Sequence, residues 1–196
     1  YEEVEKVLPD NYESLLDPKD TQRAITAVKR YIEDGLAREL NLMLVTVPLI
    51  VDRDSGVNDM LDRDGSRTPV EFKAGLGIEP RINAQVVQAA TKWKRMALKQ
   101  FDMKPGEGLN TDMRAVRKDY FLDHDHSSYV DQWDWERTIT AADRNLEFLT
   151  DIVKKIWKVL KGAETFIREE FPALQDPRYP ELPDELTFIH AEEILE

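Results

Sequence analysis

The apolar positions change period several times along the chain, and each change marks a new element. Residues 1–16 mix charges with a proline and suit an extended arm. Asp17-Pro18 then opens a helix, with Asp as the N-cap and Pro at the first helical position. Ile25, Val28, Ile32, Leu36 and Leu40 recur at helical spacing, which predicts an amphipathic helix over residues 18–40. LMLVTVPLIV, Leu42 to Val51, is β-branched and apolar, and predicts a buried strand whose Pro48 marks an edge or an end. Residues 52–81 are rich in Asp, Gly, Arg and Pro, with turn dipeptides at Ser55-Gly56 and Asp64-Gly65 and a short strand expected at Val70 to Phe72. A second helix is expected from Ala84 to Phe101, its apolar side formed by Val87, Ala90, Trp93, Ala97 and Phe101.

From there the period shortens to two. KPGEG, residues 104–108, reads as a turn, and Leu109 to Val116 as a strand. The charged stretch 117–127 is a loop leading to YVDQWDWER, Tyr129 to Arg137, so the two arms form an antiparallel hairpin with a long connection. Alternation sorts this last strand into two rows. Tyr129, Asp131, Trp133 and Trp135 form one row, and its three rings suit a packed face. Val130, Gln132, Asp134 and Glu136 form the other, in which an amide and two carboxylates stand side by side. Such a row fits the floor of a polar pocket or a solvated surface, and spacing alone leaves both open. Thr140, with Asp143 in the capping-box position, is expected to open a long helix whose stripe is Leu146, Leu149, Val153, Ile156 and Leu160, ending near Phe171. A proline-rich connector, 172–183, leads to a strand at LTFIH, Leu186 to His190, and HAEEILE, His190 to Glu196, reads as the opening turns of a helix. Helices and antiparallel strands interleave without regular βαβ spacing, which places the chain in the α+β class.

Length and charge narrow the function classes. A chain of 196 residues holds one good core, so a single domain is expected. The final turns with nothing after them suggest a portion of a longer protein. With no cysteine there is no disulfide framework and no thiolate metal site, and a reducing cytoplasm fits. No apolar run reaches the length of a membrane span, and no signal peptide is recognisable. The net charge of −12 argues against backbone-tracking nucleic-acid binding, though not against a small anion held by a few placed cations, such as a nucleotide with its magnesium.

Three clusters carry candidate chemistry. In KWKR, Lys92 and Arg95 share one helix face while Lys94 points elsewhere; a solvated basic face is the bland alternative. In TDMRAVRKDYFLDHDHSS, Thr111 to Ser128, Arg117 ends a strand where a loop of acids and histidines begins, and its guanidinium can form two parallel hydrogen bonds to a phosphate. His124 and His126 lack a third ligand at metal-site spacing, so no metal is assigned to them. Asp59 lies in the turn GVNDML, where an aspartate is by default a turn-former. Nucleophile elbows and Walker- or Rossmann-type glycine loops are absent from the sequence. A bound nucleotide would therefore be held by arginines and a sheet.

KWKRMAL, GEGLNTDMRAVR and HSSYVDQWDWER, in that order and spacing, closely resemble the ammonia-dependent asparagine synthetase (aspartate–ammonia ligase) family. The resemblance covers nearly all of this chain and the N-terminal three-fifths or so of a family member. It implies a class II aminoacyl-tRNA synthetase-like fold, an antiparallel sheet flanked by helices. The element ending at Pro48 resembles the dimer-forming motif 1, and Arg117 with its loop resembles motif 2. It also implies a homodimer that binds no nucleic acid and no membrane. The implied reaction uses ATP and Mg2+ to activate aspartate as a β-aspartyl-adenylate, which ammonia then attacks. Arg117, with His126 and Ser127 of its loop, would bind the nucleotide, and Arg117 would stabilise the transition state. Lys94 would bind a carboxylate of aspartate, and Gln132 and Asp134 would contact the amino acid, Gln132 helping to position the acyl group. Asp59 would bind ammonium and take its proton.

Two departures accompany the resemblance. QAATKWKR stands where family members commonly have HSLAKWKR, so Gln88 and Ala89 replace a His and a Ser, and Ala89 has no hydroxyl to donate. The glycine-rich motif 3, with its ATP-binding arginine, would lie beyond Glu196. Two alternatives follow: a catalytically incomplete paralogue that serves as a binding or dimerisation module, and a ligase that acts on another amino acid.

Overall fold

The computed structural model describes residues 10–194. These residues gather into two compact units, one built on Asn41–Ile139, the other combining Ser14–Leu40 with the chain from Thr140 onward. Most of the extended arm expected at 1–16 lies outside the described residues.

The second unit is a helix pair. Helix α1 runs Pro18–Leu40, as the pattern predicts, and Asp17 caps it by accepting the Asp20 N–H at 2.8 Å. Helix α3, Leu146–Glu170, starts later than expected. Thr140 and Asp143 do form their reciprocal bonds, but around an isolated turn; the helix is capped by Asn145, whose side chain accepts the Phe148 N–H. The expected stripe also rotates. Ile152, Val159 and Ala163 are the buried residues of α3, while Leu146 and Leu149 are exposed. The crossing with α1 explains the shift: a Cβ on Gly35 would stand 2.6 Å from Val159 Cγ1, so the helices meet where one has no side chain. Tyr31 and Phe166 stack alongside, centroids 4.9 Å apart. The strand expected at Leu186 to His190 does not form, because no described strand pairs with it; Phe188 and Ile189 are exposed, and a short 3-10 helix, Ala191–Ile194, follows.

The first unit holds two three-stranded sheets. In one, β5 (Gly108–Val116) lies between β1 (Leu42–Leu44), parallel to it, and β6 (Tyr129–Arg137), antiparallel to it. In the other, β4 (Ile82–Val86) lies between β2 (Ile50–Asp52) and β3 (Glu71–Ala74), antiparallel to both. The α+β class holds, but the sheet is not antiparallel throughout, since β1 joins in parallel. The expected single strand Leu42 to Val51 is two three-residue strands in different sheets, interrupted across Pro48, with Met43, Leu44, Leu49 and Ile50 exposed. A proline has no N–H to continue a ladder.

The second expected helix is likewise cut. Residues 84–86 belong to β4, and helix α2 spans only Thr91–Gln100. Val87 and Ala90 sit between these elements and pack with Met113 and Ala115 in the core of the unit. A short apolar run fits either period, and pairing on both sides decides for strand. The hairpin of β5 and β6 matches its prediction, with Asp112 opposite Trp133 and Thr111 opposite Asp134. Gly108 at its open end, opposite Arg137, is required for space, because a Cβ there would approach the Arg137 Cα to 2.9 Å and other backbone still more closely.

Candidate functional site

Helix α2 begins without a capping side chain of its own, since Ala90 occupies the N-cap. Asp59 caps it from a distant loop: its Oδ2 accepts the N–H of Thr91 at 2.7 Å and lies 3.4 Å from that of Lys92. A carboxylate there satisfies otherwise orphaned donors and meets the positive end of the helix dipole. Its neighbour Asn58 is buried and stitches the same loop to β4. Asn58 Nδ2 donates to Gln85 Oε1 at 3.2 Å and to the Val86 carbonyl at 3.1 Å, and its Oδ1 accepts the Gln88 N–H at 2.9 Å. Lys92 closes the clasp by donating to the carbonyls of Gly56 and Asn58.

Gln88 links this clasp to Arg117. The carbonyl of Gln88 accepts from Arg117 Nε at 3.1 Å, which fixes the guanidinium at the end of β5. Arg117 also faces the ring of Tyr120 at 5.8 Å, and Arg67 lies over the same ring at 3.9 Å. Arg67 reaches Tyr120 from a loop tied to the Arg117 loop by Asp119, whose Oδ2 accepts both the N–H and the hydroxyl of Thr68, at 2.8 and 3.0 Å. Hydrogen bonding from Lys118, then from the Thr68 N–H, pulls the Asp119 carboxyl down to about 2.

Lys94 is the deepest charge of the site, only 3% exposed. Its Nζ donates to Asp134 Oδ1 and to the Trp135 carbonyl, and stands 3.6 Å from Glu136 Oε2. The polar row of β6 therefore faces α2, on the side where Leu109, Thr111, Met113 and Ala115 of β5 are fully buried. This corrects the expectation that the aromatic row forms the packed face of the unit. Tyr129 is exposed and the two tryptophans of β6 are half-buried, because α2 covers the opposite side and Lys94 needs the carboxylates there. The solvated-face reading of KWKR holds for Arg95, which is exposed, and fails for Lys94.

The loop after Arg117 is organised around His126. Its Nδ1 lies 2.7 Å from Asp123 Oδ1 and 2.6 Å from Asp125 Oδ1, and its ring packs on Phe121. Hydrogen bonding to Asp123 raises the pKa of His126 above its ordinary 6.5. Desolvation works to raise Asp123, but the bonds from His126 and the Asp125 N–H outweigh it and lower that carboxyl below 3.8. The His126 contribution is complete below pH 6.5 and lost as pH rises through its elevated pKa; that of Asp123 is complete above 3.8 and lost in acid. An NMR titration of His126 should show a midpoint above 6.5, returning toward 6.5 in Asp123→Asn; a wild-type midpoint at or below 6.5 contradicts the pairing. Ser127 Oγ accepts the Tyr129 N–H at 3.1 Å.

Asp59 and Arg117 are thus each bonded to the segment around the start of α2, at Thr91 and Gln88, while Lys94 within the helix is bonded to Asp134 of β6. Gln132 shares the Asp134 face two residues earlier and is exposed. His126 and Ser127 are bonded within their own loop region. Asp123, His124 and Asp125 form the one group of three acidic or histidine side chains close enough for a metal among the described residues. The set does not fit Mg2+, which takes oxygen ligands in octahedral geometry, since it includes an imidazole and its carboxylates already face His126. Asn58 and Tyr120 are bonded or packed beside these residues without having been anticipated, and Glu136, placed in the polar row but given no role, lies beside Lys94. Asn58 is adjacent to Asp59 in sequence, but nothing local distinguishes a buried amide from a turn-former.

The family model for aspartate-ammonia ligase matches residues 19–196. The chain belongs to the aspartate-ammonia ligase family. It is 44% identical over 188 residues to the aspartate--ammonia ligase of Clostridium tetani, covering 96% of this chain and 53% of that protein. To those of Bacteroides fragilis and Fusobacterium nucleatum it is 43% and 44% identical, over 96% and 93% of this chain and 52% and 53% of theirs. The chain therefore spans about half the length of the curated aspartate-ammonia ligases it matches.

Proposed function

We propose that the protein amidates the side chain of L-aspartate with ammonia to give L-asparagine, at the expense of ATP. A carboxylate oxygen of aspartate attacks the α-phosphorus and pyrophosphate leaves; ammonia then attacks the acyl carbon of the β-aspartyl-adenylate and AMP leaves with the bonding pair. What supports this reading is membership of the aspartate-ammonia ligase family, together with the bonds that tie Asp59 to the start of α2, Arg117 to the Gln88 carbonyl just before it, and Lys94 of the same helix to Asp134. Arg117 contacts the α-phosphate, and its Nε bond to Gln88 leaves the Nη end of the fork for the ligand. His126 and Ser127 border the nucleotide from the loop behind it. Lys94 holds a carboxylate of aspartate, Gln132 and Asp134 contact the amino acid, and Gln132 orients the acyl group. Asp59 keeps Oδ1 for ammonium while Oδ2 caps α2, and it receives the proton that ammonium must lose before attack.

Mg2+ enters this reaction as the counter-ion of the ATP phosphates, and none of the described residues is assigned to hold it. On the same reading the fold is class II synthetase-like, and the two units are parts of one catalytic domain. The protein works as a cytoplasmic homodimer, without nucleic acid or membrane. No described helix is long and apolar enough to cross a membrane. The reading is tested on the full-length protein, supplied with aspartate, ATP and ammonium, by following asparagine, AMP and pyrophosphate together. Equal amounts of the three are expected; ADP in place of AMP, or no asparagine at saturating ammonium, refutes it.

A further inference from the structure

Glu136 is the one polar side chain of its row without a role in that reaction, and its geometry is unlike that of Asp134 beside it. Asp134 and the Trp135 carbonyl take two N–H groups of the Lys94 ammonium in hydrogen bonds. Glu136 divides its two oxygens between two cations and hydrogen-bonds neither: Oε2 is 3.6 Å from Lys94 Nζ, and Oε1 is 3.7 Å from Arg95 Nε. At those lengths the attraction is Coulombic and undirected. The third N–H of Lys94 is therefore balanced in charge but not bonded.

A carboxylate ligand changes this balance. The Lys94 side chain is only 4% exposed, so an arriving carboxylate must displace a group already around Nζ. Asp134 and the backbone carbonyl are hydrogen-bonded, and Glu136 is the weakest holder. Three carboxylates around one buried ammonium repel one another, which disfavours Glu136 staying beside a bound ligand. Arg95 offers it a place to go, because its side chain is 71% exposed and free to reorient toward Oε1. We propose that Glu136 is an exchangeable counter-ion: it neutralises Lys94 in the unliganded site and passes to Arg95 when a carboxylate of aspartate takes its place. This rests on the reading of Lys94 as a holder of that carboxylate. It adds that Glu136 competes with the substrate and that Arg95, outside the pocket, promotes binding by drawing the competitor away.

The test is calorimetric titration of aspartate into the full-length protein, as wild type, Glu136→Gln, Arg95→Ala and the double variant. Glu136→Gln keeps the shape and removes the charge, and should tighten aspartate binding about two- to fivefold, the range that partly exposed ion pairs command. Arg95→Ala should weaken binding by a similar factor, and that effect should vanish in the Glu136→Gln background. Weaker binding by Glu136→Gln overturns the exchange, because it makes the carboxylate a support for Lys94 or for the ligand. An Arg95→Ala effect that persists without Glu136 also overturns it, since a general loss of positive charge then accounts for the result. Wild-type protein that binds no aspartate overturns the functional reading and the exchange with it. Wild-type protein that binds aspartate while Glu136→Gln binds no more tightly overturns the exchange alone.

Discussion

Replacing Arg117 by alanine is expected to lower asparagine formation by the full-length protein by about two orders of magnitude or more, the usual loss when a preorganised charge contact to a transition state is removed. The guanidinium does not wait to be ordered by the nucleotide, because its Nε is already bonded to the Gln88 carbonyl. The effect should therefore fall mainly on turnover. Arg117→Lys should recover little of it, since an ammonium cannot keep the bond to Gln88 and present a planar fork to the phosphate. Rates under saturating ATP and aspartate check both variants. Turnover within tenfold of wild type in Arg117→Ala would remove this residue from the chemistry.

Lys94→Met is expected to have the largest effect on stability, about 2–4 kcal/mol in a urea titration of the full-length protein. The loss does not measure the strength of an ion pair. Without Lys94 the carboxylates of Asp134 and Glu136, 20% and 25% exposed, lose the cation that compensates their partial burial. Adding Asp134→Asn to Lys94→Met should therefore restore part of the stability, a non-additivity that a double-mutant cycle reads directly. If the double variant is no more stable than Lys94→Met, the buried pair does not explain the loss. Aspartate binding should be lost in both, because the carboxylate holder is gone.

These two residues differ in how far sequence exposes them. Arg117 follows an alternating strand and faces a long loop, so its position where the hairpin turns into its loop follows from local pattern, and the structure adds the Gln88 bond that orients it and the Tyr120 ring it faces. Lys94 lies in KWKR, where three cations in four residues resemble any solvated basic face. Its burial depends on β6, forty residues away, presenting Asp134 and Glu136 to the side that α2 covers. The same dependence misleads over the aromatic row. Three large rings suggest a packed face, but the face most deeply covered in this unit is the one that supplies counter-charges to a buried lysine.

Elements governed by neighbours in sequence were legible. The Asp17 cap and the stripe of α1, the turn at 104–108 and both arms of the β5–β6 hairpin follow from local preferences, because their bonds join residues close along the chain or in a register set by alternation. The motifs KWKRMAL, GEGLNTDMRAVR and HSSYVDQWDWER likewise placed the chain in its family from residue identity alone. Elements whose stability comes from distant partners were not legible. Residues 84–86 are strand because β2 and β3 pair with them on both sides, and Leu186 to His190 is not strand because no described strand does. Tertiary structure alone decided that Asp59 caps a helix thirty residues further on, that Asn58 is buried beside it, and that Glu136 is shared between two cations. A backbone donor or a buried ammonium takes whichever partner the packing brings within reach, and sequence spacing carries no information about that distance.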